Sequence, residues 1–431
     1  MKPTASPVIR CLCLGLALAA SQLAIAVENL QLPNTVTIRQ LLQIVREKSS
    51  RYAAIRTRIE TAKAEVTAAG VLPNPRFSYG RYDLTSRRNT MYDGRAQEGV
   101  TLEIPVQIAG QRSARLNAAE RLVEATEAGV EADFAVLARE SWSLFIQLLA
   151  GQERVTVLDN AFQDLDRLRK IVAGREQAGS ASAYDVLRIS VEAKNLETRL
   201  ENARSELAGT AGDLGVALGL AGWKPQASGK LTPLGVPTDI RTLWDRAQTL
   251  NPELEAAKRG EIAADASIER ARRERWPTPS LLVGNAFTDK PYGMTSFAGV
   301  SVELPLFDRG QGGMARASAE KQAAILERQL IASRTQVELE RANELLTRRR
   351  ESLAKFEREV LGHLPTLEQM AENAYRLGKG SLLELLDANR SRTEIRLSHL
   401  DLLQAETEAE LDLLKASGLL VSTMEESPQL P

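Results

Sequence analysis

The sequence predicts a mainly α-helical chain with a small membrane-embedded β part, built as two tandem helix–hairpin–long-helix–helix units. Three observations predict it. Residues 99–120 (GVTLEIPVQIAGQRSARLNAAE) and 299–320 (GVSVELPLFDRGQGGMARASAE) are identical at eight of 22 positions, where average residue usage gives roughly one or two chance matches. The stretches Ser113 to Val172 and Met314 to Leu364 contain no proline. Just before each of those stretches the hydrophobic period drops from helical to two.

In chain order, residues 1–26 read as a signal peptide. Lys2 and Arg10 precede the apolar run CLCLGLALAA, and Ala24-Ile25-Ala26 follows; that order marks secretion, and the run is too short to span a bilayer. The chain's two cysteines, Cys11 and Cys13, lie inside it, so the exported protein is expected to have no disulfide. A short extension, 27–36, leads into the first repeat, 37–219. There Thr37 and Gln40 form a capping-box pattern, and strands are expected near 75–84 and 97–106 around the polar turn TSRRNTMYDGR. A long helix, the Gly/Ser turn AGSASAYDVL and a second long helix follow, ending at Gly219. Residues 220–238, with three Gly and three Pro after position 221, read as a linker. The second repeat, 239–418, runs through the same order at an offset of 199 to 204, with strands near 280–287 and 296–305. The end, 419–431, reads as a flexible tail.

A 60-residue helix is a rod of ~90 Å. Leu158, Phe162, Leu165, Arg169 and Val172 step by fours and threes, as do Val360, Leu364, Leu367, Ala371 and Ala374. Such helices bury a stripe against neighbours instead of enclosing a globular core.

In the hairpins, Val100, Leu102 and Ile104 alternate with Thr101 and Glu103, and Val300, Val302 and Leu304 with Ser301 and Glu303. Four strands of about ten residues are long enough to span a tilted bilayer. They are too few to close a barrel, and lipid does not tolerate an open edge. A soluble hairpin packed on a helix is the plainer reading of such alternation; membrane-embedded strands would have to be pooled from several copies, and three copies supply twelve. With Val and Leu toward lipid, Glu103 and Glu303 face the lumen as a ring of six.

Other classes are excluded or unsupported. A formal net charge of −1 gives no footing for nucleic acid. No nucleophile–base set, metal cluster or phosphate loop marks an enzyme or a cofactor site. His363 and His399, the two histidines, lack ligand spacing. The acids of AETEAEL (405–411) read as a solvated helix face.

The duplicated LPNP/WPTP turns, EIPVQIAGQR/ELPLFDRGQG and the Gly-x-x-Ser turns resemble the TolC family of outer-membrane efflux channels, over nearly all of 37–418. AAGVLPNP and ELPLFDRGQG are most similar to the subgroup serving heavy-metal exporters of the resistance–nodulation–division class. The resemblance implies a homotrimer. Its twelve-stranded barrel sits in outer-membrane lipid and continues as a periplasmic helical barrel, whose tips meet a periplasmic adaptor and an inner-membrane pump.

It also implies roles at the tips. Glu384 and Asp387 match the acids of the narrowest opening. Glu384 also completes a capping box with Ser381, as Asp185 does with Ser182, so cap and gate both stand for it; Asp387 has no capping role. Asp185 and Tyr375 match an inter-hairpin latch, although Tyr375 also suits the helical seam. Gly380 stands where the family prototype has an arginine, so one charged link of that pattern is missing. Gly179, Ser182, Gly378 and Ser381 match the adaptor-contacting tips. A periplasmic coiled-coil scaffold without membrane strands remains the alternative.

Overall fold

The computed structural model describes residues 32–83, 96–288, 293–377 and 379–426. Residues 1–31, 84–95, 289–292, 378 and 427–431 lie outside them, and with them the expected signal peptide, the expected hairpin turns and Gly378. The chain opens with β1 (Thr35–Val36), α1 (Ile38–Glu47), α2 (Ser50–Gly70), β2 (Arg76–Asp83), β3 (Ala96–Pro105), α3 (Gln111–Gln177) and α4 (Ala183–Leu218). After β4 (Gln226–Ala227) come α5 (Ile240–Leu250), α6 (Pro252–Glu274), β5 (Ser280–Thr288), β6 (Gly293–Ser301) and α7 (Gln311–Glu359). A 3-10 turn (Leu361–His363), α8 (Leu364–Arg376), α9 (Leu382–Ser417) and α10 (Leu420–Glu426) complete it.

Local chemistry sets these boundaries. The Thr37–Gln40 capping box starts α1, which buries Ile38, Leu41, Leu42 and Val45 at helical spacing. Asn251 caps α6 through Glu253 N–H and Leu254 N–H, with Pro252 in the first turn. Gly219 and Gly418, at φ 69° and 76°, end α4 and α9 in the left-handed conformation.

The first rod, α3, is unbroken over 67 residues, ~100 Å, and packs on α2, α4, α6 and α9. Its core is a stripe. One cluster gathers Phe134, Trp142 and Phe145 with Leu214, Leu346, Leu411 and Leu414 at the waist. Smaller clusters, around Leu158 with Leu200 and around Val172 with Ile189, follow toward the tips. Three ion pairs tie α3 to the antiparallel α9: Arg139–Asp412, Arg154–Asp401 and Asp164–Arg392, at 2.7, 2.5 and 2.7 Å.

The second rod is not continuous as expected. Pro365 has no N–H for the Leu361 carbonyl and its ring crowds that carbonyl, so α7 stops at Glu359 and a 3-10 turn precedes α8. The expected seam through this region fails at Leu367, which is 57% exposed.

Two further expectations are corrected at the waist. The segment after Gly418 is not frayed throughout: α10 packs through Leu420 and Met424, both buried. The acids of 405–411 are not all solvated: Glu410 is fully buried and Glu406 nearly so. Glu410 accepts the N–H groups of Leu234, Gly235 and Val236 at 2.5, 2.9 and 3.2 Å, and Arg350 Nη2 at 2.6 Å. Successive N–H groups around a left-handed Gly235 (φ 72°) form an anion nest. The linker is thereby pinned as a strap, helped by β4 pairing in parallel with β1 and by Trp223 Nε1–H donating to Pro33 O. Glu406 shares Arg350; burial, then the neighbouring Glu410 charge, push its carboxyl above the usual range.

At the far end from the tips, β2–β3–β5–β6 form one antiparallel sheet in that order. The strands differ from expectation mainly at β6, which starts earlier and ends at Ser301. Glu303 therefore lies beyond the ladder, while Glu103 sits within it opposite Arg76, 3.5 Å away; the chain alone does not align the two glutamates.

Two outcomes follow. Glu410→Ala strands three N–H groups and a guanidinium, and breaking such a buried set costs about 3–5 kcal/mol; thermal unfolding followed by helix dichroism should show a large drop in midpoint. Glu406→Gln should act oppositely. A carboxyl raised by folding destabilises the fold when charged and is harmless when protonated. The variant should therefore melt higher than the parent at pH 7, with the difference vanishing as pH falls below the unfolded-state carboxylate range.

Candidate functional site

The site has two ends, joined by the rods. At the sheet end, register and the two-residue side-chain period sort residues onto faces. Opposite Leu102 stand Phe77 and Val283, and opposite Val283 stands Ala298. One face therefore carries Phe77, Tyr79, Val100, Leu102, Ile104, Leu281, Val283, Phe287, Met294 and Val300, with Asn285, Ser296 and the ion-paired Arg81, Asp83 and Glu98 toward its outer end. Most of these are well exposed, Phe77 at 68% and Val300 at 66%. The opposite face carries Arg76, Ser78, Gly80, Gln97, Gly99, Thr101, Glu103, Gly284, Thr295, Gly299 and Ser301, small or polar side chains interrupted by Tyr82, Leu282 and Phe297. The Phe297 ring covers Gly284, where a Cβ would collide with it. Apolar exposure continues below the ladder through Val106, Ile108, Val302, Leu304, Leu306 and Phe307, the last at 92%. An exposed apolar face this large marks a surface that meets a membrane or another protein. The sheet is also open: β2 and β6 each pair on one side only. Among the described residues no helix is long and apolar enough to cross a membrane.

At the tip end, both turns are built alike. Gly179 ends the first rod at φ 71°. Ser182 Oγ accepts Asp185 N–H, and the Asp185 carboxylate accepts Ser182 N–H. In the second turn Ser381 Oγ accepts Glu384 N–H, and Glu384 Oε2 accepts Ser381 N–H at 2.9 Å. Both acids thus act as caps. Leu382, Leu385 and Leu386 bury one face of α9, which turns Leu383, Glu384 and Asp387 outward. Asp387 makes no hydrogen bond or ion pair among the described residues.

Tyr375 is half-buried, with the Arg175 guanidinium 5.0 Å above its ring. Within one chain it is engaged by Arg175, and Asp185 by its cap. Gly380 leaves no space for a side chain to pack freely: a Cβ would stand 3.1 Å from Ala374 and 3.2 Å from the Glu384 carboxylate.

Sequence reasoning passed over buried Arg392 and half-buried Asp164, the ion pair that clamps α9 to α3 just above the tip. Nothing in the local pattern distinguishes them from surface charges. His399 Nε2 lies 2.9 Å from Glu357, and His363 sits in the 3-10 turn. Among the described residues no group of three or more His, Cys, Asp or Glu could hold a metal ion.

The sequence profile of the family described as Outer membrane efflux protein matches residues 41–220. Protein CyaE of Bordetella pertussis is 30% identical over 412 residues, covering 88% of this chain and 83% of its own. The cobalt-zinc-cadmium resistance protein CzcC of Cupriavidus metallidurans is 28% identical over 379 residues, 85% and 86% of the two chains. Among solved structures, the CmeC outer membrane channel of Campylobacter jejuni superposes with a TM-score of 0.71 at 15% identity, over 88% of this chain and 85% of that one. The outer membrane protein VceC of Vibrio cholerae gives 0.69 at 16%, over 88% and 96%. The amphipathic open sheet, the duplicated rods and these likenesses agree: the chain belongs to the outer membrane efflux protein family, and is a non-enzymatic TolC-type channel of the Gram-negative outer membrane.

Proposed function

We propose that three copies assemble into one duct: a twelve-stranded barrel in the outer membrane, continuous with a periplasmic helical barrel. The observation that carries this is the sheet with one apolar face and two unpaired edges. In lipid an unpaired strand edge leaves backbone groups without partners, at several kcal/mol each, so the sheet is stable there only as part of a closed wall. Three such sheets meet the size at which barrels close.

The tips form the entrance. Asp387, turned outward beside Leu383 and Glu384, contributes to a threefold ring of carboxylates that attracts cations and narrows the passage. Glu384 is both cap and second ring. Asp185 and Tyr375 form links to neighbouring hairpins, and Gly179, Ser182, Gly378 and Ser381 present the turns to a periplasmic adaptor that joins the duct to an inner-membrane pump. The cargo class is metal cations: one relative is a cobalt-zinc-cadmium resistance protein, and another, of Escherichia coli, 29% identical over 245 residues, is a cation efflux system protein. The acid rings suit such cargo without binding it tightly.

The mature protein should need detergent for extraction, and native mass measurement should give three copies; a stable single chain in plain buffer would overturn the duct. Asp387→Ala should raise single-channel conductance in planar bilayers and lower cation preference. One carboxylate about 4 Å from a cation in water contributes about 1 kcal/mol, or about fivefold in occupancy. Unchanged conductance and selectivity would remove Asp387 from the gate.

A further inference from the structure

The duplication makes the chain a template for its own missing seam. Resting on the trimeric reading above, we infer the register with which β6 of one copy pairs with β2 of the next: Val302 opposite Tyr79 of the partner subunit, Leu304 opposite Phe77 of the partner subunit, and Glu303 opposite Ser78 of the partner subunit.

The argument starts at β3–β5, where the second strand of the first hairpin meets the first strand of the second. There Leu102 pairs with Val283, Glu103 with Leu282 and Ile104 with Leu281. The aligned repeats carry β3 onto β6 at an offset of 200 and β2 onto β5 at an offset of 204. Transferring the observed register through these offsets gives the β6–β2 pairs; inside the chain the β5–β6 hairpin stands two residues from the same transfer, Ser280 pairing with Ser301 where Arg76 pairs with Glu103, a difference that keeps side-chain parity. The transfer could have failed a parity test, because a slip of one residue exchanges the faces. It passes: Val300, Val302 and Leu304 of the apolar face meet Arg81, Tyr79 and Phe77, which lie on the apolar face of β2.

Three pairs of equivalent groups show one seam complete and the other awaiting it. Val106 N–H donates across the seam to Pro279 O at 2.7 Å, whereas its counterpart Leu306 N–H turns back to Leu304 O at 2.8 Å. Buried Gln111 donates from Nε2 to Trp276 O at 3.3 Å, whereas exposed Gln311 donates to Phe307 O in its own turn at 3.2 Å. Gly284 is a strand position where a Cβ would run into the Val100 carbonyl of β3; its counterpart Gly80 has only the Tyr82 ring of its own strand within reach. In the assembled wall Leu306 N–H is released to Pro75 O of the partner subunit, and Gln311 Nε2 to Leu72 O of the partner subunit. The ladder then extends past Ser301, which returns Glu303 to the polar face, the face that also carries Glu103.

The only native cysteines lie in the signal segment, so engineered pairs report cleanly. In the full-length protein, Val302→Cys with Tyr79→Cys should oxidise to covalent dimers and trimers, several-fold more than Val302→Cys with Phe77→Cys or with Arg81→Cys. The displaced partners sit diagonally, outside the Cβ separation a disulfide accepts. Preferential linking of a displaced pair, or no linking in a protein whose reduced native mass is three copies, overturns the register and leaves the trimer intact. No linking together with a native mass of one copy overturns the trimer and the register together.

Discussion

The governing constraint is that a backbone N–H or C=O in hydrocarbon must find a protein partner, because no water is there to supply one. In this chain that constraint acts at two edges only, β2 and β6. Among the described residues the two inner strands, β3 and β5, pair on both sides. Duplication is the economical answer: each copy contributes the same kind of edge pair it already joins internally at β3–β5. The small side chains on the other face, with Gly80, Gly99, Gly284 and Gly299, permit close approach of neighbouring backbone.

The rods answer a different demand. Helices of this length cannot enclose a core, so burial is a stripe shared among α3, α4, α7 and α9, thickest at the waist. There the strap between the repeats crosses the bundle and is pinned by Glu410. A buried carboxylate is unfavourable alone; three N–H groups and Arg350 convert it into an anchor. The ion pairs along α3 and α9 reverse polarity toward the tip, with arginine on α3 at Arg139 and Arg154 but on α9 at Arg392. A slid register would bring like charges together.

Much of this was legible in the sequence because it depends on periodicity and on caps. The offset between repeats, the unbroken first rod, the hairpin positions and the three capping boxes all rest on local rules, and Thr37, Ser182 and Ser381 cap where their spacing indicates. What was missed depends on distant residues. Glu406 and Glu410 look solvated until Arg350 and the strap are placed around them. The helix at 420–426 exists because the waist offers Leu420 and Met424 a place to bury. The alternation of Val302 and Leu304 is real, but among the described residues of the chain no strand lies beside them, so β6 ends at Ser301. Asp387 was singled out by family resemblance and by its lack of a capping role; the fold adds that it points outward.

The two rods also differ mechanically. The first is a continuous strut, in which every interior carbonyl is bridged to an amide four residues on. The second has an elbow at Leu361–His363, where Pro365 removes one such bridge. Bending stiffness is lowest where those bridges are interrupted. A push delivered to the shaft will therefore be absorbed at the elbow, and what swings is the short arm, α8.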